Sequence, residues 1–156
     1  MKLRILGVNN MSSRDTTWPA YLIDGVLALD AGGLTRSLTF DEQAGIRAVV
    51  LSHRHIDHTL DLVPFGLNAF VHEWPTVDVY GIQDTVDYLR TGLLGAVAPD
   101  FLSASSEDGG VLDLNVIDFY KEQEILGYSI TAFPVPHAVP AAGFQIESDG
   151  LKLFYT

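Results

Sequence analysis

The sequence predicts an α/β fold built in layers, and three observations support this prediction. Short apolar runs of strand length alternate with turn residues along the whole chain. Segments with apolar residues at helical spacing lie between the strands of the earlier part. From residue 111 onward the pattern changes to strands alone. A sheet that carries helices, followed by a strand-rich part, is typical of a layered α/β domain.

The earlier part alternates between predicted strands and helices. We predict strands at residues 2–8, 20–23, 26–30 and 47–52, and helices at residues 39–44 and 57–69. Asp24 and Gly25 form a hairpin turn signal between the second and third strands.

The later part begins with one more strand and helix. In the helix, Val86, Leu89 and Leu93 recur at helical spacing. The predicted strands are residues 77–80, 111–119, 125–133, 143–147 and 151–155, the helix is residues 83–94, and polar residues 103–110 form a surface loop.

The stretch Ser-His-Arg-His-Ile-Asp-His at residues 52–58 follows a buried apolar run and is typical of a metal site. If the chain leaves the strand in an extended form, His53 and His55 project to the same side and can bind one ion together. Asp57 and His58 follow in the first turn of the predicted helix and face a position next to the ion that His53 and His55 would bind. The pattern therefore predicts two adjacent ions, with zinc, iron and manganese all compatible with these ligands.

His-x-His-x-Asp-His after an apolar strand resembles the signature of the metallo-β-lactamase superfamily. The resemblance implies an αββα sandwich in which His53, His55 and a later histidine, His137, bind the first ion. It implies that Asp57 and His58 bind the second ion, and that Asp57 helps to position the nucleophile as a catalytic residue. Asp30, in Leu-Asp-Ala-Gly-Gly, resembles the aspartate that braces the metal loop from behind.

Residues 137–147 and 151–156 are similar to the corresponding strands of ribonuclease Z and of class II cyclic-nucleotide phosphodiesterases. This implies a zinc-dependent hydrolase that cleaves a phosphodiester of cyclic-nucleotide or RNA type with a metal-activated water. Hydrolysis of another ester, a thioester or a lactam is an alternative. A non-catalytic role as a metal-binding or assembly module is a further alternative.

The sequence departs from the family pattern in two places. Residues 7–13 lack the glycine-rich sequence common in ribonuclease Z. The family pattern also continues past Thr156 into an aspartate that bridges both metals, and later into one more histidine. We therefore expect residues 1–156 to form an incomplete domain, with a three-histidine first site that keeps an open position and a weak second site.

Composition and charge narrow the expected partners. With 47% hydrophobic residues and a mean hydropathy of +0.20, the chain is expected to leave an apolar sheet face for a partner, so we expect a homo-oligomer or a fragment of a longer enzyme. The net charge of −11 argues against extensive nucleic-acid binding and favours a small-molecule or nucleotide substrate. The sequence contains no cysteine, no signal-peptide core and no membrane-length apolar stretch, which predicts a cytoplasmic location.

Overall fold

A computed structural model describes residues 1–101 and 110–156 of the chain. These residues form three layers: a layer of helices, a six-stranded mixed sheet and a four-stranded antiparallel sheet. The layered α/β prediction is confirmed, and the described residues supply three of the four layers of an αββα sandwich. All but the last residue of the loop predicted at 103–110 lies outside the described residues.

The first sheet begins antiparallel and continues parallel. Its strands, in spatial order, are β1 (Leu3–Gly7), β2 (Ala20–Ile23), β3 (Leu27–Leu29), β4 (Ala48–Val50), β5 (Val77–Gly81) and β6 (Leu112–Val116). The pairs β3–β4, β4–β5 and β5–β6 are parallel. Because parallel strands end at the same edge of a sheet, the residues that follow β3 and β4 lie side by side.

Helices cover the outward face of the first sheet. They are α1 (Leu34–Ser37), α2 (Phe40–Ala44), α3 (Ile56–Thr59), α4 (Leu62–Val71), α5 (Gln83–Tyr88) and α6 (Leu94–Val97), with a π-helical turn at Leu89–Leu93 and a 3-10 turn at Pro99–Phe101. Among the described residues, no helix is both long and apolar enough to cross a membrane.

The second sheet packs on the inner face of the first. Its strands, in spatial order, are β10 (Leu151–Tyr155), β9 (Ala142–Ser148), β8 (Tyr128–Pro134) and β7 (Glu122–Ile125). All three strand pairs in this sheet are antiparallel.

The molecule has two apolar cores, one on each side of the first sheet. On β4, Val49 packs toward the helices, whereas Ala48 and Val50 pack toward the second sheet. A strand buried on both faces must be apolar throughout, and this accounts for much of the high apolar content.

The outward face of the second sheet differs from the apolar face that composition suggested. Ser129 pairs with Glu147, and Thr131 pairs with Gln145, on the side opposite the core. The centre of this face is therefore polar.

Two predicted elements are each divided in the structure. The helix predicted at 57–69 is two helices, α3 and α4, because Pro64 lacks an N–H and is accommodated only in the first turn of a new helix. The strand predicted at 125–133 contains a hairpin turn at Leu126 and Gly127, both with positive φ. Its first residue, Ile125, ends β7, and residues 128–133 belong to β8.

Candidate metal centre

The candidate metal centre lies at the edge of the first sheet where β3 and β4 end, and the β8–β9 loop of the second sheet meets it there. His53 forms an isolated antiparallel bridge with Ala141, and the main-chain N–H of Ala142 donates to the carbonyl oxygen of Ser52 at 2.9 Å. These main-chain contacts hold the loop that carries His137 against the strand that carries the histidine motif.

Three histidine rings converge at this edge. The Nδ1 atom of His55 lies 3.1 Å from Nε2 of His53 and 3.1 Å from Nε2 of His137. One nitrogen from each ring lies within 4.8 Å of the other two. Tetrahedral zinc with bonds of about 2.0–2.1 Å separates its nitrogen ligands by about 3.3 Å, which is close to the two separations of 3.1 Å. The structure therefore brings together all three residues predicted for the first ion.

Asp57 and His58 form a second, adjacent pair. Nε2 of His58 lies 3.5 Å from Oδ2 of Asp57, while its Nδ1 lies 2.7 Å from Oδ2 of Asp30. The Nδ1–H group therefore donates to the Asp30 carboxylate, which leaves the Nε2 lone pair free beside Asp57. A histidine whose second nitrogen is held by a carboxylate is the usual arrangement for a metal ligand.

Asp30 lies behind the centre and is fully buried. Its carboxylate accepts hydrogen bonds from the main-chain N–H of Ser52 at 2.7 Å, from the Ser52 hydroxyl, from His58 and from the Tyr155 hydroxyl at 2.5 Å. These donors satisfy a buried charge that would otherwise be very costly. Its backbone has a φ of +56°, which aspartate tolerates better than most residues.

Tyr155 is the member of this network that sequence reasoning missed. A tyrosine on the inner face of a strand needs a partner for its hydroxyl, and that requirement is the signal that the sequence offered. The partner is 125 positions away in the chain, on the other sheet, and periodicity does not identify it.

Main-chain hydrogen bonds join the Asp-Ala-Gly-Gly loop to α3. The N–H of Ala31 donates to the carbonyl oxygen of His58 at 2.8 Å, and the N–H of Asp61 donates to the carbonyl oxygen of Ala31 at 3.0 Å. Gly32 lies directly against this turn, where a side chain would not fit. The loop after β3 therefore fixes where Asp57 and His58 lie.

Burial and neighbouring charges separate the proton affinities of two of the histidines. Burial, followed by the nearby His58, lowers the pKa of His53 to about 4, against the opposing charge of Asp30. Burial also acts to lower the pKa of His58, but the hydrogen bond and the charge of Asp30, together with Asp57, outweigh it and raise that pKa. At neutral pH, His53 is therefore a neutral imidazole ready to bind a metal.

An open cavity of about 340 Å³ adjoins the histidines. Its lining includes His53, His58, His137 and Tyr155, together with the apolar residues Val135 and Pro136. The volume lies within the range of small-molecule binding sites.

Arg54 lies between two of the histidines and turns away from them. Its Nε lies 3.0 Å from Oδ2 of Asp84, in the first turn of α5. His72 and Trp74 lie outside the site, where their rings stack at 5.5 Å beyond the end of α4.

The chain matches the family model described as "Beta-lactamase superfamily domain" over residues 20–156. It is 27% identical over 158 residues to ribonuclease Z of Methanopyrus kandleri, covering 94% of this chain and 50% of that protein. It is 30% identical over 146 residues to endoribonuclease ysh-1 of Neurospora crassa, covering 82% of this chain and 17% of that protein. The chain thus spans half or less of the length of these curated relatives.

Solved structures agree in fold. The metallo-β-lactamase fold protein YhfI from Bacillus subtilis superposes with a TM-score of 0.78 at 16% identity, covering 97% of this chain and 60% of that one. The short form of human tRNase Z gives a TM-score of 0.69 at 19% identity, and the match covers 99% of this chain and 67% of that one. Unliganded yeast PDE1 superposes with a TM-score of 0.73 at 14% identity, and the match covers 92% of this chain and 60% of that one. The family match over most of its length shows that the chain belongs to the β-lactamase superfamily domain family.

Proposed function

We propose that this chain forms the metal-binding part of a metal-dependent phosphodiesterase. The observation that carries the proposal is the convergence of three histidine nitrogens, from His53, His55 and His137, at the spacing of a tetrahedral zinc site. Asp57 and His58 are the proposed ligands of a second ion next to it.

Zinc, or manganese or iron in its place, would supply a Lewis acid and lower the pKa of a bound water toward neutrality. The side chains of the chain set the conditions for that chemistry. Three histidine ligands, being neutral when they bind a metal, would leave the charge of the first ion uncompensated, which would favour binding of an anionic phosphodiester. Asp57, whose carboxylate lies beside the His58 ring, is proposed to ligate the second ion and to position the nucleophile.

The names of the relatives bear on the substrate. Ribonuclease Z and endoribonuclease YSH1 are both named as ribonucleases, and this favours an RNA phosphodiester over the small molecule that charge alone suggested. The net charge of −11 leaves few cations to follow a long RNA backbone. We therefore propose recognition of a short RNA segment at the cavity, with a cyclic nucleotide as the runner-up.

The test is hydrolysis by the zinc- or manganese-loaded protein. We expect turnover of bis(p-nitrophenyl) phosphate and of a short single-stranded RNA, and none of a thioester or a chromogenic lactam. The His137→Ala variant should lose this turnover, whereas His72→Ala, which changes a histidine outside the site, should keep it. Turnover of the thioester or the lactam alone would establish the rival hydrolase. Tight metal binding with no turnover would show that residues 1–156 alone do not hydrolyse these substrates.

Self-association is proposed separately. Leu67, Phe70 and Val71 on α4 are each at least half exposed, and Phe40 is exposed on α2. These uncharged side chains offer a surface through which two strongly acidic chains can meet without repulsion. We expect light scattering to give the mass of two chains for the wild type and the mass of one chain for a Phe70→Glu variant.

A further inference from the structure

We infer that Tyr155 is a positioning residue that acts through Asp30 to fix the orientation and the tautomer of His58. The inference rests on the proposed function, because His58 is the proposed ligand of the second ion. Neither the family match nor the sequence motifs assign a role to this tyrosine.

The contact spans the two sheets. The Tyr155 hydroxyl, from the edge strand β10, donates to Oδ2 of Asp30, at the end of β3, at 2.5 Å. The same oxygen accepts the Nδ1–H of His58 at 2.7 Å. One carboxylate oxygen therefore accepts hydrogen bonds from Tyr155 and His58 as well as from the Ser52 hydroxyl, and the Tyr155 hydroxyl limits the positions in which this oxygen can accept from His58.

The ring of Tyr155 is itself held in place. Its edge packs on Tyr21 with ring centroids 5.1 Å apart, and its main chain pairs with Phe144. Burial, and then the charge of Asp30, raise the pKa of Tyr155, so its hydroxyl stays protonated and acts as a donor. A fixed donor beside a buried carboxylate restricts the rotation of that carboxylate.

The consequence concerns the nitrogen that would face the metal. Without the Tyr155 hydroxyl, Asp30 can rotate toward Ser52, whose hydroxyl already lies 2.8 Å from Oδ2. The Nδ1–H bond of His58 then loses its direction, and the proton can occupy Nε2 in part of the molecules. Nε2 is the atom that lies beside Asp57, so protonation there blocks its lone pair.

The variant Tyr155→Phe removes the hydroxyl and keeps the ring contact with Tyr21. Tyr128→Phe is a matched control, because the Tyr128 hydroxyl donates to Oδ2 of Asp24 at 2.6 Å, at the other end of β3. Both variants remove a hydrogen bond between a phenol and a carboxylate, so a general loss of stability is common to the two.

The readout is the histidine tautomer in the metal-free protein at alkaline pH, measured by long-range proton–nitrogen spectra of a chain with ¹⁵N-labelled histidine. We expect one tautomer of His58, with the proton on Nδ1, in the wild type and in Tyr128→Phe, and a mixture of tautomers in Tyr155→Phe. An unchanged His58 signal in Tyr155→Phe would overturn the inference.

Zinc titration of the same three proteins separates this inference from the proposed function. We expect Tyr155→Phe to weaken the second binding step about tenfold and to leave the first unchanged. A wild type that binds no zinc, with the tautomer change present, would overturn the proposed function and support the positioning role. Zinc binding that is identical in all three proteins, with unchanged tautomers, would overturn the positioning role alone.

Discussion

A β-carbon on Gly32 would stand 2.0 Å from the main-chain oxygen of Asp57 and 2.6 Å from the β-carbon of Trp18. The loop after β3 and the first turn of α3 thus pack so closely that only glycine fits between them. Because Asp57 and His58 lie in that turn, the position of the proposed second ion depends on a residue that carries no side chain.

Replacing Gly32 with alanine should therefore displace the start of α3. We expect a loss of about 1–3 kcal/mol in the free energy of unfolding, from overpacking, together with weaker binding of the second zinc ion. Urea unfolding and zinc titration measure the two effects. Gly92→Ala is the control, because the nearest atom to a β-carbon there lies 3.4 Å away, and unchanged metal binding is expected. Full second-site affinity in Gly32→Ala would contradict the close packing.

Replacing His137 with alanine should remove one of three ligands from the first site. The purified variant is expected to retain far less zinc than the wild type, because two histidines alone leave the ion open to solvent and to chelators. Elemental analysis after purification without chelator measures the metal content. His72→Ala, which removes a histidine that packs on Trp74, should retain the wild-type content. Undiminished zinc in His137→Ala would exclude this residue as a ligand.

Replacing Asp30 with asparagine should disturb both the fold and the second site. Asparagine has an NH₂ group, which donates, where aspartate has a carboxylate oxygen, which accepts. The pocket already supplies donors from Ser52, His58 and Tyr155, so donors would face donors. We expect the free energy of unfolding to fall by about 3 kcal/mol, since hydrogen bonds to buried charges are strong. Thermal or urea unfolding measures this loss. Asp118→Asn, at an exposed carboxylate paired with Lys121, should change stability very little.

The stability of the metal-free protein should decrease between about pH 6.5 and pH 4 because of His53. Its pKa is lowered to about 4 in the folded chain, chiefly by burial and next by His58. In that window the unfolded chain binds a proton that the folded chain excludes, so the free energy of unfolding falls as the pH falls. Above about pH 6.5 the contribution of the neutral His53 side chain to the free energy of unfolding is fully present.

Urea unfolding of wild type and of His53→Asn at about pH 7 and about pH 5 tests this assignment, because the variant should lose part of the pH dependence. His72→Asn is the control and should behave like the wild type. An equal pH dependence in His53→Asn and wild type would show that other groups account for it.

The fold could be predicted from the sequence where local pattern and tertiary packing agree. The strand before His53 is apolar on both faces, and the motif that follows it contains four of the five proposed ligands. His137 came from resemblance to a family, since nothing in its local sequence marks it as a partner of residues more than eighty positions earlier.

The missed features depend on contacts that are distant in the chain. Helix α1 was not predicted, because its N-terminus is satisfied by Asp61, which accepts hydrogen bonds from the N–H and the hydroxyl of Thr35. The turn at Leu126 and Gly127 was missed because leucine rarely adopts a positive φ. Tyr155 was missed because its partner lies on the other sheet.

The three histidines of the proposed first site come from two different sheets. His53 and His55 follow β4 of the first sheet, and His137 lies in the loop between β8 and β9 of the second. An ion bound to all three would therefore act as a cross-link between the layers, comparable in effect to a covalent bridge in a chain that contains no cysteine. Metal binding would then add to the apolar core in holding the two sheets together at this edge.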